Sequence, residues 1–302
     1  MAAPKIAGII GLGSMGKGSA NSLLRSGFEV HAYDVRKEAV DSFAKQGGVG
    51  CSSPAEVGKN ASAVLVLVLN AEQLESVIFG KDGLTSTLKP GSVIIASSTV
   101  PPLYAEDLGK RLGEIGILHL DAPVSGGAAK ADLGKLTIMA SGSKEAFAAA
   151  DSLLKSVSET VYHIGDKSGQ GSQIKLINQL LAGVHIAAAA EAMALAIKVG
   201  ADPQTAFEVI SNSAGSSWMF QNRVPHILAG DYTPLSAVNI FVKDLGIVLE
   251  SAKSVGFPTP LTATAHQLFT MASSAGFGAE DDSAVIKVFE KLSGIELPKK
   301  RG

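Results

Sequence analysis

The sequence predicts an α/β domain built on a parallel sheet, followed by an all-helical domain that one long helix joins to it. Three observations carry this expectation. Up to about residue 165, short β-branched runs alternate with amphipathic stretches, the grammar of parallel strands that return through helices. The runs are apolar throughout instead of alternating, so both faces of the sheet should be covered. After Gly165 strand-like runs all but vanish, and from Ser172 to Val199 the chain runs on without a proline or a turn cluster.

The strand candidates follow in order: "KIAGIIGL" from Lys5, "FEVHAYD" from Phe28, "SAVLVLVL" from Ser62, "GSVIIASS" from Gly91, "GILHLDAP" from Gly116, "LTIMASG" from Leu136 and "VYHIG" from Val161. Between them lie helical patterns over Ala39 to Gln46, Leu103 to Ile115 and Lys144 to Val157. The stretch Ser172 to Val199, with Gly183 as its one internal glycine, reads as a helix roughly 40 Å long at 1.5 Å per residue. Its run Ala187 to Ala190 would let another backbone approach closely, so the helix is expected to be central and buried. Further helices are predicted over Pro203 to Ser211, after the "GADP" stop and start, over Ala237 to Val255 and over Thr262 to Ser274. The predicted domains are therefore 1–166 and 167–302.

Composition narrows the function. The 302 residues, 46% of them hydrophobic, suffice for two ordinary cores. Uninterrupted apolar stretches such as Ala63 to Leu69 fall short of the ~20 residues a membrane span needs, and no basic start leads into an apolar one. A cytoplasmic protein without a membrane partner is expected. The single cysteine, Cys51, excludes an intramolecular disulfide. A net charge of −2 argues against nucleic acid as a partner, and the terminal "PKKRG" reads as a solvated tail. Six scattered histidines, with neither H-E-x-x-H nor a cysteine cluster, leave no expected metal site.

Gly11-Leu12-Gly13-Ser14-Met15-Gly16 follows the first strand and opens a helix. Such a hexapeptide alone is often only a loop. In this position its glycines would serve a tight turn, the approach of a pyrophosphate and close helix packing, with helix N–H groups facing the anion. The second strand ends in Asp34, eighteen positions beyond Gly16, where a carboxylate can accept hydrogen bonds from both ribose hydroxyls. A Rossmann-type domain holding NAD is predicted, with contacts from Gly11 to Gly16 and across Asp34, Val35 and Arg36. A carboxylate there repels a 2'-phosphate, although Arg36 is of a type that accommodates one.

Two further stretches stand out. "DAPVSGG", Asp121 to Gly127, ends a predicted strand, where ligands of open parallel sheets collect. There Ser125, Gly126 and Gly127 could hold a carboxylate, or form no more than a turn of small residues. "GQGSQIKLINQ", Gly169 to Gln179, begins the long helix and puts Lys175 on its expected first turn, with Asn178 and Gln179 on the same face. A helix N-terminus disfavours an ammonium and suits a lysine to proton exchange, whereas most helix-start lysines are surface residues. Lys243 and Asp244 interrupt an otherwise apolar helix, in which an internal salt bridge is the plain reading.

Taken together, "GLGSMG", "DAPVSGG", "GQGSQIKLIN" and "KDL" resemble the β-hydroxyacid dehydrogenase family nearly end to end, in its order and spacing. The resemblance implies an NAD-dependent oxidoreductase acting on a short hydroxy acid. Lys175 would be its acid/base, Ser125, Gly126 and Gly127 would hold the substrate carboxylate, and Asn178 would touch substrate. Thr99 and Lys243 would lie against the nicotinamide end, with Leu69 and Asn70 lining the cofactor cleft. Relatives commonly carry a second asparagine where this chain has Gln179, to which substrate contact is carried over. Within the family, Asn178 to Leu195 resembles the L-threonate dehydrogenase branch. Ser236, seven residues before Lys243, stands where several relatives carry an aromatic residue and would leave room and hydrogen-bonding capacity for a polyhydroxylated substrate. The readings kept beside this one are a tartronate semialdehyde reductase, a 3-hydroxyisobutyrate dehydrogenase and a non-catalytic cofactor-binding module. The resemblance also implies a homodimer or homotetramer.

Overall fold

The computed structural model describes residues 5–300, so Arg301 and Gly302 of the basic tail lie outside the described residues. The chain forms two compact units, Met1–Lys175 and Leu176–Gly302. In the first, β1 (Ile6–Ile10), α1 (Ser14–Arg25), β2 (Glu29–Tyr33), α2 (Lys37–Ala44), β3 (Val49–Gly50), α3 (Pro54–Asn60), β4 (Ala63–Val66), α4 (Ala71–Phe79), β5 (Val93–Ala96), α5 (Pro102–Glu114) and β6 (Leu118–Asp121) alternate. They are followed by β7 (Val124–Ser125), α6 (Gly127–Asp132), β8 (Leu136–Gly142), α7 (Lys144–Val157) and β9 (Ser158–Gly165).

The sheet order is β3-β2-β1-β4-β5-β6-β8-β7, with β9 on β8. From β3 to β6 every pairing is parallel. Neighbouring side chains on a strand alternate between two cores: Ile9, Leu65 and Ile95 enter one, Ile10, Val64, Val66 and Ile94 the other. That is the covered sheet expected from the apolar runs.

One expectation needs correction. The sheet is not parallel throughout, because β8 runs antiparallel to β6 and to β7. The link from β6 to β8 is the two-residue β7 and the single-turn-scale α6 in place of a full crossover helix, so the chain comes back in the opposite direction. The glycine-rich opening of α1 serves this region as well. A Cβ on Gly18 would meet the Asp132 nitrogen at 2.6 Å, so α6 packs directly on the backbone of α1.

Helix α8 (Gln170–Lys198) starts in the first unit and continues into the second. By length and composition it is long and apolar enough to cross a membrane, with a mean hydropathy of 1.9 over its most apolar window. Isolated polar residues punctuate the helix, so it contains no uninterrupted apolar run of that length. It is a core helix: Ile186, Ala187, Ala189, Ala190 and Met193 sit in the hydrophobic core of the second unit. It is not buried all round, however, since Ile177, Leu181 and Leu195 are exposed.

The second unit is completed by α9 (Pro203–Ser211), α10 (Trp218–Ala229), α11 (Val238–Ser254), α12 (Pro260–Ala272) and α13 (Lys287–Ser293). Phe241 of α11 stacks on Phe269 of α12 at 5.1 Å between ring centroids, in the middle of that core. Residues 298–300 of the basic tail run along the surface of this unit with Lys299 and Lys300 exposed. Lys300 pairs with Asp231 at 2.9 Å, and the backbone of residues 298–300 lies against Gly230 so closely that a Cβ there would clash at 2.5 Å.

Candidate active site

The order β3-β2-β1-β4 makes the chain turn outward from β1 in one direction and return at β4 on the other side. The crevice at the carboxyl ends of β1 and β4 is thus the topological switch point where such sheets take ligands. Gly11 leaves β1 with φ +93°, and a Cβ on it would meet the Leu67 carbonyl oxygen at 2.4 Å. A Cβ on Gly16 would meet the Gly11 carbonyl oxygen at 1.8 Å, whereas one on Gly13 would meet nothing within 4 Å. Two of the glycines are therefore required by packing, and the third leaves open space over the start of α1. Gly13 caps that helix without a side-chain hydrogen bond, and Ser14 and Met15 begin a first turn that contains no acidic residue. An unshielded helix N-terminus beside open backbone fits a pyrophosphate.

Asp34 lies beside this turn and shapes it. Its Oδ2 accepts the Leu12 N–H at 2.7 Å, while Oδ1 accepts the Arg36 N–H at 2.8 Å and Arg36 Nε at 3.0 Å. Burial works to raise its pKa, but the hydrogen bonds from Arg36 and Leu12 outweigh it and hold the carboxyl below its usual range. Arg36 also reaches the Leu12 carbonyl at 3.2 Å. The carboxylate is thus already engaged by Arg36, so ribose hydroxyls would have to displace that guanidinium, which is 59% exposed and can move. Val35 points to solvent. Leu12, Lys17, Arg36, Glu38, Ala39 and Ser42 line an open hollow beside Asp34.

The other strand ends carry the remaining predicted positions of this unit. Leu69 and Asn70 follow β4, where Asn70 Oδ1 accepts the Gln73 N–H at 2.8 Å and Gln73 Oε1 accepts the Leu69 N–H at 2.9 Å. This reciprocal cap starts α4, so the Asn70 carbonyl has a structural duty. Thr99 is half-buried in the loop after β5. Ser125 ends β7, and Gly126 and Gly127 follow with φ of +134° and +74°, backbone that an L side chain rarely adopts.

Asp121 is the residue of this unit whose role the sequence did not disclose. It is 1% exposed at the end of β6. Its Oδ2 accepts N–H groups from Gly169 and Ser172, each at 2.9 Å, and its Oδ1 accepts the Ser172 hydroxyl at 2.7 Å. Ser141 Oγ donates to it at 3.3 Å and accepts the Gly171 N–H at 2.9 Å. Burial pushes the Asp121 carboxyl up against the opposing pull of Ser172, Gly169 and Ser141. Gly171 comes so close to the strands that a Cβ would meet the Met139 carbonyl oxygen at 2.4 Å. "DAPVSGG" and "GQGS" are therefore two halves of one clamp that pins the start of α8 to the sheet.

That clamp fixes the helical turn before Lys175, which is 7% exposed. The helix begins at Gln170, so Lys175 stands in the second turn instead of the expected first. The dipole effect fades within the first turn, and a buried carboxylate lies at this N-terminus. The helix dipole therefore acts less on this position than a first-turn placement would allow.

In the second unit, Asn178, Gln179 and Lys243 belong to one polar chain. Asn178 Nδ2 donates to Gln179 Oε1 at 3.0 Å, Gln179 Nε2 donates to Asp244 Oδ2 at 2.5 Å, and Lys243 Nζ lies 2.5 Å from Asp244 Oδ1. Ser236 is bound to Asp282: its carbonyl accepts the Asp282 N–H at 2.7 Å, and its side chain bonds the Asp282 carboxylate. Arg223 holds that carboxylate from the other side with Nε at 2.5 Å and Nη2 at 3.1 Å. The hydroxyl that was expected to serve a substrate therefore has a protein partner.

Comparisons agree with this architecture. Residues 6–165 match the NAD binding domain of 6-phosphogluconate dehydrogenase, and residues 169–289 match the NAD-binding family of NADP-dependent 3-hydroxyisobutyrate dehydrogenase. An L-threonate dehydrogenase of Cupriavidus necator is 60% identical over 97% of this chain and 98% of its own. The mitochondrial 3-hydroxyisobutyrate dehydrogenase of Mus musculus is 34% identical over 95% of this chain and 88% of its own. A crystal structure described as 3-hydroxyisobutyrate dehydrogenase from Salmonella typhimurium aligns with a TM-score of 0.90 at 48% identity, covering 94% of this chain and 99% of that one. With a glycine turn open to a dinucleotide and both halves matched in order, the chain belongs to the 3-hydroxyisobutyrate dehydrogenase family of NAD(P)-dependent hydroxyacid dehydrogenases, enzymes that act on a CH–OH group.

Proposed function

We propose that the protein oxidises L-threonate at C2 with NAD, giving the 2-oxo acid 2-dehydro-L-erythronate. The observation that carries this is the identity of 60% to the L-threonate dehydrogenase of Cupriavidus necator, extending over nearly the whole of both chains. Ser125, Gly126 and Gly127 hold the substrate carboxylate, and Asn178 binds a hydroxyl. Lys175 in its neutral form takes the proton from the C2 hydroxyl. The bound cofactor supplies the hydride acceptor, and the Gly11–Gly16 turn, Asp34, Leu69, Asn70, Thr99 and Lys243 place it. Because 3-hydroxyisobutyrate is named for a solved relative at 48% identity, that substrate is the second reading.

A panel of L-threonate, D-threonate, D-erythronate, D-glycerate and 3-hydroxyisobutyrate, each with NAD and with NADP, tests both readings by initial rates. L-threonate is expected to give the highest kcat/KM. The same rate with 3-hydroxyisobutyrate and none with L-threonate would keep the family chemistry and replace the substrate.

NAD is the preferred cofactor because Asp34 offers acceptors to two ribose hydroxyls. Asp34→Ser, with Arg36 and Lys17 left in place, is expected to raise the KM for NAD about 10- to 100-fold, the value of one or two charge-assisted hydrogen bonds. KM for NADP should fall. An unchanged ratio of the two KM values would show that Asp34 is occupied with the glycine turn alone.

We further propose a cytoplasmic homo-oligomer. Only 39% of the most apolar window of α8 is buried, and Ile177, Leu181 and Leu195 on it are exposed, so a second copy is the fitting cover for this apolar surface. Light scattering checks the mass.

A further inference from the structure

Gln179 was carried over as a substrate contact, and the geometry points to a different task for it. We infer that Gln179 is a positioning residue that holds Asp244, and through Asp244 the ammonium of Lys243, instead of touching substrate. The inference rests on the reading of Lys243 as a cofactor-facing residue.

Gln179 is 7% exposed and Asp244 1% exposed. A carboxylate so deeply buried needs partners on both oxygens. Gln179 Nε2 on α8 donates to Oδ2 at 2.5 Å, and Oδ1, which accepts no hydrogen bond, has the charge of Lys243 Nζ on its own helix α11 at 2.5 Å. At the other end of the same amide, Gln179 Oε1 accepts Asn178 Nδ2 at 3.0 Å. The carbonyl oxygen and one amide hydrogen of Gln179 are thus committed within the protein.

The backbone shows why a glutamine is required. One turn after Gln179, a Cβ on Gly183 would meet Leu245 Cδ2 at 2.7 Å. The internal glycine of the long helix therefore lets α11 approach α8 next to Asp244. Across that contact a glutamine reaches the carboxylate, and an asparagine, one methylene shorter by about 1.5 Å, leaves a gap beyond hydrogen-bond range. Without the amide, Asp244 loses its hydrogen bond on Oδ2, and the carboxylate that pairs with Lys243 is held less firmly.

The test separates a residue that acts through Lys243 from one that binds substrate. Gln179→Met keeps the shape and removes both hydrogen bonds, and Gln179→Asn removes only the reach. NADH affinity is measured by fluorescence titration, which needs no substrate, in the wild-type and Lys243→Met backgrounds. Gln179→Met is expected to weaken NADH about 5- to 30-fold, part of the worth of a hydrogen bond to a charged group, because the effect reaches the cofactor only through Lys243. In the Lys243→Met background the same substitution should cost no more than about twofold. Gln179→Asn should follow Gln179→Met, so the result stands if either variant is soluble. KM for whichever hydroxy acid the enzyme oxidises should change less than about threefold. An equal loss in both backgrounds would overturn the inference, as would wild-type NADH affinity together with a tenfold higher KM. Because the titration contains no hydroxy acid, failure of the L-threonate assignment leaves it intact.

Discussion

Lys175→Ala should lower turnover by about 10²- to 10⁴-fold, the usual contribution of a general acid/base, while NADH binds within about threefold of wild type. The lysine is 7% exposed and stands one turn beyond Ser172, which Asp121 holds in place. Its burial in a clamped helix leaves little solvent to replace it as a base. Steady-state rates and NADH titration on the same preparation are the check, and added methylamine should restore part of the rate. A variant that keeps more than a tenth of wild-type turnover would remove Lys175 from the proton transfer.

Asp121→Asn should cut turnover about 10- to 100-fold with only a modest loss of stability. Burial already penalises the Asp121 charge, so neutralising it forfeits less than its hydrogen-bond count suggests. Asparagine keeps one acceptor, yet its NH₂ now faces groups that donate to the carboxylate in the wild type, from Gly169, Ser172 and Ser141. We expect about 1–2 kcal/mol of destabilisation for Asn. For Asp121→Ala, which strands several buried donors, about 3 kcal/mol or more is expected. The larger effect on rate follows from geometry, because a misplacement of about 1 Å in a catalytic group costs on the order of 10²-fold. Denaturant unfolding and kcat measured side by side test this. If kcat is unchanged while stability falls, the clamp supports the fold and not Lys175.

The alternation of strands and helices was legible because each parallel strand, buried on both faces, is a continuous apolar run. The stretches Leu136–Gly142, Lys144–Val157 and Pro203–Ser211 fold with the boundaries read from the chain. Shorter elements left no such mark. Helix α3 has seven residues and β3 two, too few for a period to emerge. Helix α10 holds Pro225 in its interior, which reads as a breaker. The direction of β8 was equally hidden, since an apolar run looks the same whichever way it pairs.

Local chemistry, then, was written in the chain. Glycines that a β1–α1 turn requires, a carboxylate at the end of β2, a lysine early in a long helix and the change from β-branched to helical grammar are all properties of neighbouring residues, and they were sufficient for the family. Which distant groups meet was settled by folding. Asp121 meets Gly169 and Ser172 across 48 and 51 positions, and Gln179 meets Asp244 across 65. A hydrogen bond depends on a few tenths of an ångström between side chains that no sequence period brings together. Only packing, such as that of Gly171 against Met139 and of Gly183 against Leu245, sets those distances.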